Sequence, residues 1–322
     1  MYQSILHIFP DSNRSFFKFT AEREKRISEI RLRCEKPILV MEGDEEWFLD
    51  KQGIYTKNLA DAVIMKENEL DQIIQHICRY SLYAYEDEIR QGFLSVEGGH
   101  RIGLVGQVVM GNHNEIRTIK HIRGLNIRVS HQIKGVGQRV LPHLYVNGNL
   151  KSTLIISPPG CGKTTLLRDL ICSISNGNEY GTGVTIGVVD ERSEIAGAYM
   201  GQPQNDVGIR TDVLDSCPKA EGMMMLLRSM APKVIAIDEL GSLAEINAVN
   251  AVSNCGVKLL ATMHGACMED VLRREGMREV LKQKRFEVIL ILGKINREYV
   301  MKALYEWQEN GEWRCKDYLG SY

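Results

Sequence analysis

The sequence predicts an α/β chain in two parts: a smaller α+β N-terminal domain over 1–134 and a C-terminal domain over 150–322 with a mainly parallel sheet, joined by a linker over 135–149. Short apolar runs at 153–156 (TLII), 184–189 (VTIGVV), 233–237 (KVIAI), 257–262 (VKLLAT) and 286–292 (FEVILIL) mark the second part. The first four do not alternate, as expected of strands covered on both faces. Helical stretches separate most of them, the order that builds a parallel sheet with helices on its faces. Before residue 134 the pattern is instead period-two strands around one or two helices.

The first part reads in order. "SEIRLRC" alternates charged and apolar residues at Ile30, Leu32 and Cys34, the sign of a half-buried strand; Pro37 interrupts it and "ILVM" resumes it. In "NELDQIIQHICRYSL", Leu70, Ile73, Ile74, Ile77 and Leu82 fall near helical spacing, with Asn68 as the N-cap. "GFLSVEGGHRIGLVGQVVMGN" makes two strands around the turn "EGG", and "GLNIRVSHQI" a third. "KGVGQRVLPHLYVNGN" carries glycine at both ends, which suits a linker with a short helix.

With 44% hydrophobic and 25% charged residues the chain is an ordinary globular one, and 322 residues suffice for two domains. A net charge of −1 argues against a chain-wide nucleic-acid coat or membrane-surface role. Locally, residues 101–134 hold Arg101, Arg117, Lys120, Arg123, Arg128 and Lys134 against Glu115 alone, with His113, His121 and His131 among them. Such a stretch is either a solvated face or a polyanion-facing one. The eight cysteines form no C-x-x-C pair, the first residues are too polar for a signal peptide, and no window nears the roughly 18 apolar residues of a spanning helix. A cytoplasmic chain with reduced thiols is expected.

The chemistry centres on "LIISPPGCGKTTLLRDL". A phosphate-binding loop asks for G-x-x-x-x-G-K-[ST] between a strand and a helix. Here Ser157, Pro158, Pro159, Gly160, Cys161, Gly162, Lys163, Thr164 and Thr165 supply it, with Ser157 in place of the first glycine. Gly160 and Gly162 let backbone N–H groups turn inward, and the helix that follows offers its free N–H groups and positive dipole end to an anion. Lys163 is then expected at the β- and γ-phosphates of ATP and the Thr164 hydroxyl on Mg²⁺. Cys161 reads as a small filler whose backbone matters.

A P-loop ATPase also needs an acid at a strand end. "KVIAIDE" places Asp238 to hold the Mg²⁺ shell, partly through water, and Glu239 to polarise the attacking water. "IGVVDERSEIAG" ends a second strand in Asp190, Glu191 and Arg192, and "LLATMHG" ends another in His264. A strand-end acid also serves as a helix cap and a strand-end histidine is often structural, but the carboxyl edge of such a sheet is where ligands bind. Glu239, Glu191 and His264 are therefore catalytic candidates. Arg228 in "MMMLLRSMAPK" and Arg210 in "VGIRTDVLD" are candidate phosphate-side arginines.

Together these residues resemble the secretion-type ATPase superfamily of type II and type IV secretion and pilus assembly, whose catalytic domain is a RecA-like P-loop ATPase. "VVDERSEIAG" looks like that superfamily's acidic box and "ATMHG" like its histidine box. "SEIRLRCEKPI", "GGHRIGLVG", "GIRTDVLDSCPKAEGMMMLLRSM" and "IAIDELG" look like its stage III sporulation AA branch, from about residue 28 to about 300. The resemblance implies an oligomeric ATPase, hexameric in such motors, in the mother-cell cytoplasm. It would dock on small integral membrane sporulation proteins and energise a mother cell–forespore channel. It also implies an N-terminal-domain arginine acting on a neighbouring subunit's site, for which Arg101 and Arg128 are the candidates. Ser157 and Asp238 depart from the glycines often found at those places; Asp238 implies ordinary acid chemistry there.

Two other readings compete. A nucleic-acid-associated ATPase fits the basic stretch, although "YLGSY" follows the last strands so soon that no separate RNA-binding module is expected. A nucleotide-gated scaffold that does not hydrolyse would leave Glu239 without a catalytic role.

Overall fold

In the computed structural model, which describes residues 5–111, 115–296, 298–308 and 311–321, the chain divides into two compact units, 1–131 and 132–322. His113 lies outside the described residues.

The first unit is an antiparallel sheet. Its strands are β1 (Ile27–Arg33), β2 (Leu39–Glu42), β3 (Glu45–Leu49), β4 (Tyr55–Thr56), β5 (Phe93–Val96), β6 (His100–Met110) and β7 (Ile116–Arg128). They lie in the order β4-β3-β2-β1-β7-β6-β5. Alternation decides which face is covered: Ile30, Ile102 and Ile127 pair across three neighbouring strands and are fully buried. Helix α1 (Glu67–Ile77) adds Leu70, Ile73, Ile74 and Ile77 to the same core. It starts one residue before Asn68, because the Glu69 carboxylate reaches back to accept the Lys66 N–H at 2.9 Å. It also ends before Leu82, which sits exposed in a later 3₁₀ turn. Helix α2 (Glu86–Gln91) follows and stops at Gly92, in the left-handed region.

His100 is the costly residue of this core. Only 4% exposed, it accepts the Ser130 N–H on Nδ1 at 3.0 Å, while its Nε2 has no hydrogen-bond partner. Burial, with the nearby His7 and His131, pushes its pKa down from 6.5 to about 4. The unfolded chain therefore takes up a proton through pH 6.5 while the folded chain does not, so stability falls as pH drops from 6.5 towards 4. Between pH 7 and pH 5 the loss is expected to be about 2 kcal/mol. Urea unfolding at both pH values should show it, and His100→Gln should remove most of the difference; an equal pH effect in both proteins would refute the assignment.

The second unit holds one eight-stranded sheet. Its strands are β8 (Thr153–Ser157), β9 (Ile186–Asp190), β10 (Thr211–Asp215), β11 (Val234–Ile237), β12 (Lys258–His264), β13 (Val288–Ile295), β14 (Glu298–Trp307) and β15 (Trp313–Ser321). The order is β10-β9-β11-β12-β8-β13-β14-β15. Strands β8 to β13 are parallel, whereas β13, β14 and β15 pair antiparallel, so the sheet is mixed. The β14–β15 hairpin escapes the sequence pattern for a physical reason. A bulge between Met301 and Ala303 buries Val300 and Met301 together and breaks the alternation. Strand β10 escapes because an edge strand carries the polar Thr211 and Asp212.

The parallel strands are apolar without alternation because each face meets a different layer. Ile155, Val188, Ala236 and Leu260 pack with Leu166, Leu167, Leu170 and Ile174 of α3 (Lys163–Asn176). Leu154, Ile156, Ile235 and Ile237 pack on the other side with α4 (Lys219–Ser229) and α5 (Leu243–Asn254). At roughly 25 cal/mol per Å² of apolar area, this two-sided burial is the main support of the unit.

The segment 135–149, expected to link the domains, is instead part of this second unit. The buried Asp169 carboxylate on α3 accepts the N–H groups of Gly135 and Gly137 at 2.9 and 2.7 Å. A side chain at Gly137 would meet Leu170 at 2.8 Å, and Val140, Leu141 and Leu144 are buried in the α3-side core.

Candidate functional site

The site forms where β8, β9, β11 and β12 end, because parallel strands bring all their carboxyl ends to one edge of the sheet. Ser157 is paired with His264 across β8 and β12, and Val189 with Ile237 across β9 and β11. The sequence-distant ends "PPGCGK", "VVDER", "IAIDE" and "TMHG" are thus neighbours.

Ser157 is fully buried and donates its hydroxyl to Pro158 O at 2.9 Å. Pro158 and Pro159 have no N–H, so the inward-facing donors of this loop begin at Gly160. Gly160 and Gly162 have φ of +69° and +77°, which glycine adopts without strain. Gly162 is the N-cap of α3, and no side chain caps it, which leaves the first N–H groups of a 14-residue helix for an anion. Cys161 is buried beneath the turn as a small apolar filler. Thr165 follows in the first turn, half-buried.

Lys163, 7% exposed, points from the helix start to Glu239, 3.2 Å from Oε1, and to the His264 ring at 3.4 Å. His264 Nε2 lies 2.7 Å from the same Glu239 oxygen, and Arg192 reaches the other at 3.3 Å. Burial pushes the Glu239 carboxyl up, but the Lys163 ammonium, His264 and Arg192 outweigh it and hold it below the usual carboxylate range. Glu239 is therefore ionised at neutral pH. Thr164 donates to Asp238 Oδ2 at 2.6 Å, and the buried Thr262 donates to Oδ1 while accepting the Glu239 N–H at 2.8 Å. Thr262 is a member of the candidate site that the sequence reading missed; its signal was a hydroxyl inside the apolar run "LLATMH".

A hydroxyl and a carboxylate side by side at a helix start are hard oxygen donors of the kind a divalent magnesium ion takes. Among the described residues no group of three or more His, Cys, Asp or Glu could hold a metal. Magnesium is commonly held by one or two protein oxygens together with waters and the phosphates of a ligand.

The acidic end of β9 divides its labour. Asp190 is buried and accepts three N–H groups, from Glu194, Ile195 and Ala196, at 2.8 to 3.0 Å, so it shapes the loop. Burial pushes its carboxyl up and those donors pull it back only in part. Glu191 faces the cleft and pairs with Lys219 Nζ at 3.0 Å.

Two expected arginines are not brought here. Arg210 donates to the carbonyls of Ser175 and Asn176 at the C-terminus of α3, about 20 Å of helix away from Lys163. It offsets the negative dipole end there. Arg228 lies exposed in the last turn of α4, whereas the first residue of that helix, Lys219, lines the cleft. In the first unit, Arg101 and Arg128 are cross-strand partners in the β6–β7 ladder, and Arg101 stacks 3.5 Å over the Phe93 ring. The basic stretch is partly neutralised piecemeal: Arg123 pairs with Glu67 and Lys134 with Asp206. Among the described residues no helix is long and apolar enough to cross a membrane.

The sequence pattern of the family described as sporulation stage III, protein AA, matches residues 1–312. Stage III sporulation protein AA of Bacillus subtilis (strain 168) is 34% identical over 307 residues, 95% of each chain. The ATPase DotB of Legionella pneumophila superposes with a TM-score of 0.58 at 14% identity, over 90% of this chain and 79% of its own. The pilus retraction motor PilT with bound ADP gives 0.58 at 14% identity, over 94% and 82%. At that identity the likeness is one of fold: a secretion-ATPase fold. The chain belongs to the sporulation stage III, protein AA family.

Proposed function

We propose that this protein is an oligomeric, ATP-hydrolysing motor of the secretion type that energises assembly or transport at a mother cell–forespore channel. The observation that carries the reading is the constellation of Lys163, Glu239 and His264 within 3.5 Å of one another, beside Thr164 and Asp238, at an uncapped helix start. The loop N–H groups from Gly160 to Thr165 bind the phosphates, and Lys163 neutralises the terminal ones. Thr164 and Asp238 would hold Mg²⁺, which supplies charge neutralisation on the phosphate oxygens. Glu239 orients and deprotonates the attacking water, with His264 and Glu191 at the edge of the reacting group.

Arg101 or Arg128 completes a neighbouring subunit's site; their side-by-side placement supports either as the donor. The partners are further copies of the chain, forming a hexamer, and small integral membrane sporulation proteins that hold this cytoplasmic protein at the membrane. The piecemeal pairing of the basic stretch favours this over a nucleic-acid ATPase.

The test is ATP turnover across protein concentration, with light scattering to follow oligomers, alone and with the membrane proteins added. A rate per subunit that rises as oligomers form is expected. A concentration-independent rate would remove the trans arginine, and no turnover under any of these conditions would leave a scaffold.

A further inference from the structure

Lys219 obeys none of the local rules for its position. It is the first residue of α4, where a positive charge opposes the helix dipole, yet its side chain is only 11% exposed. Its ammonium has three N–H donors, and three acceptors surround it. They are Glu191 Oε2 at 3.0 Å, Glu245 Oε1 at 3.4 Å and the main-chain carbonyl of Glu239 at 2.9 Å. The three belong to the end of β9, the start of α5 and the end of β11.

The carbonyl contact matters most, because Glu239 has φ +55°, left-handed backbone that a residue with a Cβ adopts at a cost of about 1–3 kcal/mol. That conformation is held at both ends. The Glu239 N–H donates to Thr262 Oγ1, and its carbonyl receives Lys219. Downstream, Glu245 Oε2 accepts the N–H groups of Gly241 and Ser242 at 2.7 and 3.1 Å, so Lys219 is tied through Glu245 to the same turn. With its backbone pinned in this way, the Glu239 carboxylate points at Lys163 and His264.

We infer that Lys219 is a positioning residue: it fixes the strained backbone of Glu239, and so the aim of its carboxylate, and couples that aim to Glu191. This rests on the reading of Glu239 as the base of an ATPase. Lys219 touches neither the phosphate loop nor the Glu239 carboxylate, so its loss should misdirect the base without emptying the cradle.

The experiment compares wild type, Lys219→Met and Lys219→Arg as full chains under the conditions where wild type turns over ATP. Binding of a fluorescent ATP analogue is measured beside kcat. Lys219→Met is expected to lower kcat about 10²-fold, the size of effect of a misplacement near 1 Å, with the analogue's Kd within about threefold of wild type.

Should the methionine variant not fold, Lys219→Arg decides. Its planar fork cannot aim at three divergent acceptors, so a kcat about tenfold down with unchanged binding is expected. Wild-type kcat in the folded variant, or loss of analogue binding, would each overturn the inference. Wild type without turnover would instead overturn the ATPase reading itself.

Discussion

Lys163→Ala is expected to abolish ATP binding at working concentrations, raising Kd about 10³-fold. The ammonium sits at the start of α3, nearly buried, where a phosphate in the loop would lie against it. A charge pair about 4 Å apart is worth about 4 kcal/mol at an effective dielectric near 20, and that is the factor of about 10³. The substitution also removes the cation facing Glu239 at 3.2 Å, so the repulsion between that carboxylate and the phosphates goes unscreened. Calorimetric titration with Mg-ATP, alongside circular dichroism to confirm folding, checks it. A folded Lys163→Ala protein that binds ATP like wild type would show that the loop is a strand-to-helix turn and nothing more.

Glu239→Gln should separate binding from chemistry. Glutamine keeps the shape and still reaches Lys163, but it has no charge to take a proton from water. The loss of a positioned general base costs about 10²- to 10⁴-fold, so kcat should fall by at least about 10² while Kd stays within a few-fold. Single-turnover measurement with the ATP-loaded oligomer reads the chemical step directly. Unchanged turnover would remove Glu239 from the base role and leave Glu191 as the acid to test next. Because Glu239 is held below the usual carboxylate range by its cationic neighbours, wild-type kcat should hold from neutral pH down to mildly acidic pH.

Much of this site was legible in the sequence because its parts are local. Gly160, Gly162, Lys163 and Thr164 lie within five consecutive positions, and the strand before and helix after them have clear periods. Asp238, Glu239 and His264 were legible because each ends an apolar run, and parallel strands gather such ends at one edge. The residues that escaped depend on partners far along the chain. Thr262 looks like part of a buried strand until Asp238 is placed beside it. Lys219 looks like an exposed helix start until Glu191, Glu239 and Glu245 converge on it from three other elements. Arg210 and Arg228 lie away from the cleft in this chain for the converse reason: neighbours in sequence say nothing about which end of a helix faces the cleft.

The sequence by itself determined the parallel strands of the second unit, the strand-and-helix makeup of the first and the candidate phosphate-loop residues, since these follow from periodicity and local backbone chemistry. Only the tertiary structure decided that 135–149 packs onto α3 through Asp169, that a bulged hairpin makes the sheet mixed, and which cations meet the Glu239 backbone and carboxylate. Those outcomes rest on buried hydrogen bonds and ion pairs between distant residues. Their strength comes from exclusion of water, which no short stretch of sequence achieves alone.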